Sequence, residues 1–406
     1  MYKPASRQQI AEMYNRAKER ISSFHLRHIA NIPGNVFLIS TAYPGVWMEH
    51  AFDGLCYARS FAGEKDSYEV AKNQLLLFIR NRLPNGHLPY NVLDLELLKQ
   101  KPQYRRQIGY GQLQECVSFG SLCWDVFGET RDREFLKEAY EALTGWDGWL
   151  CTHRMTTGRG LIEMFCVYDT GHDNSGRFAG IPNSTPDTEG TLPADNPALP
   201  ILAPDMNAVF FGDRMALSKM AGVLGDAKAS EEWLNKAEEV RRKMFELLRD
   251  EDEEYFFDVD AHGCRRPDKS ISITNVFTEG VLTQAQFDRV YERHMLNPEE
   301  FGTPYRFPSV AYNAGFKDDH AEKNCWGYFS QALTALRCQR WMDNYGRSAD
   351  YDALLKDWVD VYAQQTDKPF SQELDPITGE PTDCSKWYSS AMLLYIYAVD
   401  RLKLLD

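Results

Sequence analysis

The last helical stretch, Trp387 to Leu402, is apolar on nearly every face until Asp400. A helix without a polar stripe must be surrounded by protein. Large parts of 110–127 and 326–338 read the same way. Other helices are half wet: 228–249 sets Trp233, Leu234, Ala237, Val240, Met244 and Phe245 against charges. Helical patterns run at 7–22, 50–62, 66–82, 110–127, 132–153, 205–223, 228–249, 283–294, 322–343, 348–364 and 387–403. Buried and amphipathic types alternate along this series, as two concentric rings of helices require. Extended pieces are short, around 36–39 and in a hairpin at 255–263. The pattern predicts an all-α fold, an (α/α)6 barrel or toroid with short β-hairpins and long active-site loops. An α-solenoid is the alternative, but no fixed-period self-similarity supports it. No Gly/Ser-rich or Pro-rich linker interrupts the chain, so 1–406 is read as a single catalytic domain. Within it 164–204 forms a long active-site loop.

Composition narrows the function. A net charge of −14 argues against nucleic acid and against an anionic membrane surface. No apolar stretch is long enough for a transmembrane helix, and the start of the chain lacks the apolar core of a signal peptide. The nine cysteines include no Cys-x-x-Cys, and several sit in apolar helical patterns. Reduced, buried thiols and a cytoplasmic protein are expected. The sequence leaves the oligomeric state open. Aromatic residues reach 13%, which suits stacking on the apolar faces of sugar rings as well as a Trp-rich core. No phosphate-binding glycine loop and no Gly-x-Ser-x-Gly elbow is present, so nucleotide cofactors and serine hydrolysis are set aside. His25 and His28 have no cluster to complete a zinc site, and the calcium-like run from Asp258 has Lys269 where Glu is needed. No metal and no cofactor are expected.

In a helical toroid the loops joining outer to inner helices line a central funnel. Here those loops are unusually polar. They carry Glu49, His50 and Asp53; Gln112 and Glu115; Asp169, His172, Asp173 and Arg177; Asp205 and Asn207; and Gln372, Glu373, Asp375, Glu380 and Asp383. Carboxylates contributed by distant segments fit glycoside hydrolysis, in which one protonates the leaving oxygen and the other works on the opposite ring face. The acid must stay protonated near neutral pH and so needs a buried, aromatic setting. Phe165, Tyr168 and Phe178 could supply it for Asp173. Glu373 is the candidate base. Each acid taken singly reads more readily as a structural residue, a turn residue or a helix cap, than as a catalytic one.

Asp173-Asn174-Ser175-Gly176-Arg177-Phe178 resembles the Asp-Asn-Ser-Pro-Arg-aromatic motif of mannosylglycerate hydrolases and their relatives in glycoside hydrolase family 63. Trehalases are more distantly similar. Further short motifs follow in the family's order: Tyr43-Pro44-Gly45-Val46-Trp47, Asn85-Gly86-His87-Leu88-Pro89, Gln112, Asp205-Met206-Asn207-Ala208, Trp326-Gly327 and Glu373-Leu374-Asp375-Pro376. The resemblance implies an (α/α)6 barrel and inverting hydrolysis of an α-linked sugar without a metal. It implies Asp173 as general acid and Glu373 as general base. Tyr43, Trp47 and Gln112 would contact a small carbohydrate substrate, and Arg177, Asp205 and Trp326 would line or support its site. Glu49, His50, Asp53, His172 and Trp387 complete the expected substrate-binding set.

The chain also departs from the family. Where Trp-Asp-Ser is usual, it reads Glu49-His50-Ala51, and the Arg-Gly-Pro segment is Asn324-Cys325-Trp326-Gly327. The recognised sugar, α-glucoside or α-mannoside, therefore stays open. A sugar isomerase or unsaturated-uronyl hydrolase on the same toroid would put the weight on His50, His153 and His172. A non-catalytic sugar-binding protein is the remaining alternative.

Overall fold

The computed structural model describes residues 2–29, 31–37, 43–64, 66–101, 103–114, 116–314 and 326–406. Among them twelve helices of more than one turn follow one another. They are α1 (Arg7–Arg20), α2 (Ala51–Ser60), α3 (Ser67–Ile79), α4 (Phe119–Thr130), α5 (Arg133–His153), α6 (Pro204–Leu224), α7 (Ala227–Leu247), α8 (Ile273–Thr278), α9 (Gln284–Val290), α10 (Ala332–Arg337), α11 (Ser348–Tyr362) and α12 (Ser389–Arg401). The even-numbered helices pack on one another in sequence: α2 on α4, α4 on α6, α6 on α8, and α10 on α12. The turn after α10 meets α8, and α12 returns to α2, so the inner ring closes. The odd-numbered helices pack outside it, α3 on α2 and α4, α5 on α4 and α6, and α7 on α6. The fold is the helical toroid that the alternation of helix types predicts.

Burial follows the alternation. In α6, residues 204–214 are buried without a break, whereas α7 buries only Trp233, Ala237, Val240 and Met244. In α12 ten residues are buried. Caps mark the ends: Ser118 accepts the amide of Ser121 at the start of α4, and Asp132 accepts those of Glu134 and Phe135 at α5. Gly225, in the left-handed region, ends α6.

Two stretches expected as helix are helical only in part. In 110–127 the described residues before Phe119 form a connection instead, which follows the strand Ile108–Gly109; that strand pairs with Asn91–Leu93, itself paired to Gly45–Trp47. Ser330–Gln331 pairs as a strand with Glu373–Leu374, so α10 starts only at Ala332. The ladders satisfy backbone groups that a helix would have satisfied internally. The described part of 322–343 is thus a short helix behind a strand, while 315–325 lies outside the described residues. Helix α8, six residues long, is too short to leave a periodic trace in the sequence.

Candidate active site

Every residue lining the pocket at one mouth of the ring comes from a connection that runs from an outer to an inner helix. The α1–α2 connection supplies Tyr43, Trp47, Glu49 and His50; α3–α4 supplies Gln114; and α5–α6 supplies Gly171 and Asp173. The α9–α10 connection supplies Trp326, and α11–α12 supplies Gln372 and Tyr388. The pocket is small, about 40 Å³. Its backbone is unusually strained: Gln114, Asn174 and Trp326 hold positive φ of 57°, 54° and 65°. Such conformations cluster where surrounding structure over-determines them.

Asp173 sits at the pocket, and burial raises its carboxyl from 3.8 to about 7. Its charge also reaches Tyr104 and Tyr168, whose hydroxyls are pushed up by burial first and by Asp173 second. Trp47 meets Tyr43 and Tyr104 edge-on at 5.5 and 5.9 Å between ring centres. Trp326 stacks on His172 at 4.2 Å.

Glu373 is fully buried at the start of the strand Glu373–Leu374. Its Oε1 accepts the backbone amide of Trp326 at 3.0 Å and the side-chain amide of Gln331. Its Oε2 accepts the Thr382 hydroxyl at 3.1 Å. Trp326 therefore stands in relation to both members of the candidate pair: it lines the same pocket as Asp173 and donates its amide to Glu373.

Glu49 is a third acid at the pocket. Burial, reinforced by Asp173 and opposed by Arg337, lifts it to about 8. Its Oε1 lies 3.1 Å from His50 Nδ1, and the other ring nitrogen of His50 contacts the Tyr388 hydroxyl. Burial, with Arg337 adding to it, keeps that imidazole neutral. Arg337 donates to the Glu49 carbonyl oxygen. Glu49 also presses on Gly171, where a Cβ would sit 2.0 Å from Oε2 and 2.6 Å from Cys116 Sγ. Gly171 has φ of 70°, so glycine is required there on both counts.

The loop around Asp173 is held by buried charge. Arg177 donates to Asp205 twice at 2.8 Å and to Asp258 twice at 2.6 Å. Burial alone would raise Asp205, but the Arg177 pair outweighs it and holds that carboxyl low. Arg177 also approaches His172 Nδ1 at 3.3 Å, and burial depresses that imidazole to about 3. Asp169 accepts the amides of Leu113 and Phe165 at 2.9 and 2.8 Å and pairs with buried Arg154. It thereby ties the Gln114 segment to the Asp173 segment.

The structure brings together Tyr43, Trp47, Glu49, His50, Asp173 and Trp326, with His172 and Glu373 immediately behind them. It places Arg177 and Asp205 in the buried ion cluster below, away from the pocket surface. Asp53 lies deeper, where Ser389 and Ser390 each donate to its Oδ2 at 2.8 Å. Gln112 faces another cavity, with Tyr110 and Thr185, and Gln114 takes the place at the pocket. Trp387 turns outward onto Arg16, at 5.3 Å, and Tyr388 faces the pocket instead. A φ of 52° at Trp387 separates the two directions. His153 stacks on Trp149 on the outer helix α5, away from the pocket. Glu115 lies outside the described residues. Among the described residues no group of His, Cys, Asp and Glu is arranged to hold a metal ion, and no helix is long and apolar enough to cross a membrane.

A ring of paired helices with buried acids at one mouth defines a glycoside hydrolase of the helical-toroid class. The family model described as the mannosylglycerate hydrolase MGH1-like glycoside hydrolase domain matches residues 67–390, and the chain belongs to that family. Among solved structures, the GH63 mannosylglycerate hydrolase from Thermus thermophilus in complex with Tris and D-glycerate superposes with a TM-score of 0.70 at 17% identity, covering 96% of this chain and 99% of that one. Its complex with glucose gives 0.69 at 17% identity, over 95% and 99%. Neutral trehalase Nth1 from Saccharomyces cerevisiae gives 0.62 at 11% identity, over 97% of this chain and 80% of that one. At these identities the solved structures speak for the fold. No curated protein matches the sequence.

Proposed function

We propose that the chain is an inverting glycosidase that removes an α-linked sugar from a small or oligomeric glycoside. In this reading Asp173 protonates the leaving oxygen and Glu373 activates the water. The observation that carries it is the position of the Asp173 carboxyl, half-buried in the lining of the pocket and raised by desolvation to about 7, so that a large fraction keeps its proton near neutral pH. Glu373 supports the reading through its contact with Trp326. Its Oε1 takes the Trp326 and Gln331 amides and its Oε2 the Thr382 hydroxyl, which fixes the carboxylate beside a residue that lines the pocket.

The aromatic faces of Trp47 and Trp326 would hold the sugar ring, and Glu49, His50, Gln114 and Tyr388 would meet its hydroxyls. Arg177, Asp205, His172 and Asp53 would act by fixing the loops. The test is a panel of α-linked disaccharides and glycosyl-glycerates, mannosylglycerate among them, with the product anomer read by NMR. Inverted product from the wild type, with at least a hundredfold loss of kcat in Asp173→Asn and Glu373→Gln, is expected. Retained anomeric configuration, or near-full activity in either variant, overturns the assignment.

A further inference from the structure

Beside the small pocket lie two larger cavities, of about 450 and 250 Å³. Arg106, Tyr110 and Thr188 line both, so the two form one continuous groove. Its inner end is Tyr104, whose ring meets Trp47 of the pocket edge-on and whose hydroxyl senses Asp173. The groove shares the pocket's framework. The strand Gly45–Trp47 delivers Trp47 to the pocket, while its partner Asn91–Leu93 and the next strand, Ile108–Gly109, carry Asn91 and Gly109 to the groove.

The opposite wall is fixed as well. At Gly111, with φ of 104°, a Cβ would lie 2.5 Å from the Asp187 carbonyl oxygen, so residues 185–188 are pressed against backbone. The lining chemistry suits carbohydrate. Tyrosine rings offer faces for sugar C–H surfaces, as Tyr90, Tyr104 and Tyr110 do here. Gln112 faces the larger cavity, and its buried Oε1 has no hydrogen-bond partner. Among the described residues no carboxylate pairs with Arg105 or Arg106, whose planar donors match paired hydroxyls. A volume of several hundred Å³ is in the range of ligand-binding clefts.

Resting on the proposed glycosidase reading, we propose that this groove binds the leaving-group side of the substrate and that the leaving group is an oligosaccharide. The small pocket takes the single terminal sugar that is released. The chain beyond the scissile bond runs past Tyr104 toward Thr188. The enzyme is then exo-acting on α-linked oligosaccharides, and each added sugar on the leaving-group side gains contacts that a disaccharide cannot reach.

The test measures kcat/KM for an α-linked disaccharide, the matching tri- and tetrasaccharide, and a glycosyl-glycerate. It uses the wild type, Thr188→Trp to fill the groove, and Arg106→Ala. Both positions are at least partly solvent-exposed, and thermal unfolding verifies the fold of each variant. In the wild type kcat/KM is expected to rise at least fivefold from disaccharide to tetrasaccharide. In the two variants that ratio is expected to fall to near one. A wild-type ratio near one, an undiminished ratio in both variants, or a glycosyl-glycerate preferred more than tenfold over every oligosaccharide overturns the proposal while leaving the glycosidase reading intact. Failure to cleave any α-glycoside removes the glycosidase reading itself, and this inference with it.

Discussion

Replacing Gly171 by alanine isolates how the Asp173 loop is positioned. The new Cβ would lie 2.0 Å from Glu49 Oε2 and 2.6 Å from Cys116 Sγ. The residue also keeps φ of 70°, which costs alanine roughly 1–2 kcal/mol. Forcing a methyl into that packing adds roughly 1–3 kcal/mol. The total is about 2–5 kcal/mol. For a chain of 406 residues the unfolding entropy, at about 2 cal/mol/K per residue, is close to 1 kcal/mol/K, so Tm should fall by about 2–5 °C. Activity should suffer more. The displaced Glu49 lines the pocket with Asp173, and a misplacement of about 1 Å can cost on the order of a hundredfold in rate. Gly180→Ala is the control on the same connection: φ is 82°, but nothing lies within 4 Å of the added Cβ. It should lose only the conformational part, about 1–2 °C, with kcat unchanged. Differential scanning calorimetry and steady-state hydrolysis measure both quantities. If Gly171→Ala keeps kcat within twofold of the Gly180→Ala value, the close approach to Glu49 does not position the acid.

Titration of Asp173 sets a further expectation: kcat/KM should decline as pH rises through about 7, where the buried acid loses its proton. The same shift destabilises the fold. Above pH 4 the unfolded carboxyl is ionised while the native one holds its proton, so stability falls as pH rises to about 7, by up to about 4 kcal/mol. Asp173→Asn should therefore be inactive yet unfold at higher temperature than the wild type at pH 8; an equal or lower Tm there contradicts the assigned burial. Glu373→Gln should retain the Trp326 contact and near-wild-type Tm while losing at least a hundredfold in kcat, measured by single-turnover hydrolysis. Arg177→Leu strands Asp205 and Asp258 as unpaired buried acids and should cost about 3–5 kcal/mol in chemical denaturation; a loss below about 1 kcal/mol would mean the cluster is not holding the loop.

The ring was legible in the sequence because burial all round leaves a pattern that half-burial does not, as α12 and α7 illustrate. The loops that make the pocket were legible as to location, since carboxylates and glycines interrupt apolar helices there. Which side chain faces inward was not. Gln112 and Gln114 differ by two positions, and Trp387 and Tyr388 by one. In each case a residue with positive φ, Gln114 or Trp387, sits at the turn. Such a residue redirects the side chains around it, and non-glycine residues give no sequence sign of adopting it. Short ladders were missed for a similar reason. Ser330–Gln331 becomes strand only because Glu373–Leu374, more than forty residues on, offers a partner. Asp173 and Glu373 stood out through the order of short motifs, whereas Arg177 carries a cation motif whose role as an ion-pair anchor depends on Asp258, eighty-one residues downstream.

Asp53 joins the first inner helix to the last through Ser389 and Ser390. Its partners lie more than 330 residues along the chain. As the polypeptide leaves the ribosome, Tyr43 to His50 and Asp173 are present long before Gln372 and Tyr388 close the other side of the pocket. Until that final helix docks, the buried acid at Asp53 has no hydroxyl to meet and the first inner helix lacks a neighbour. Docking of α12 is therefore the step that closes the pocket, and chains in which it has not yet docked expose carboxylates that only the closed ring can shelter.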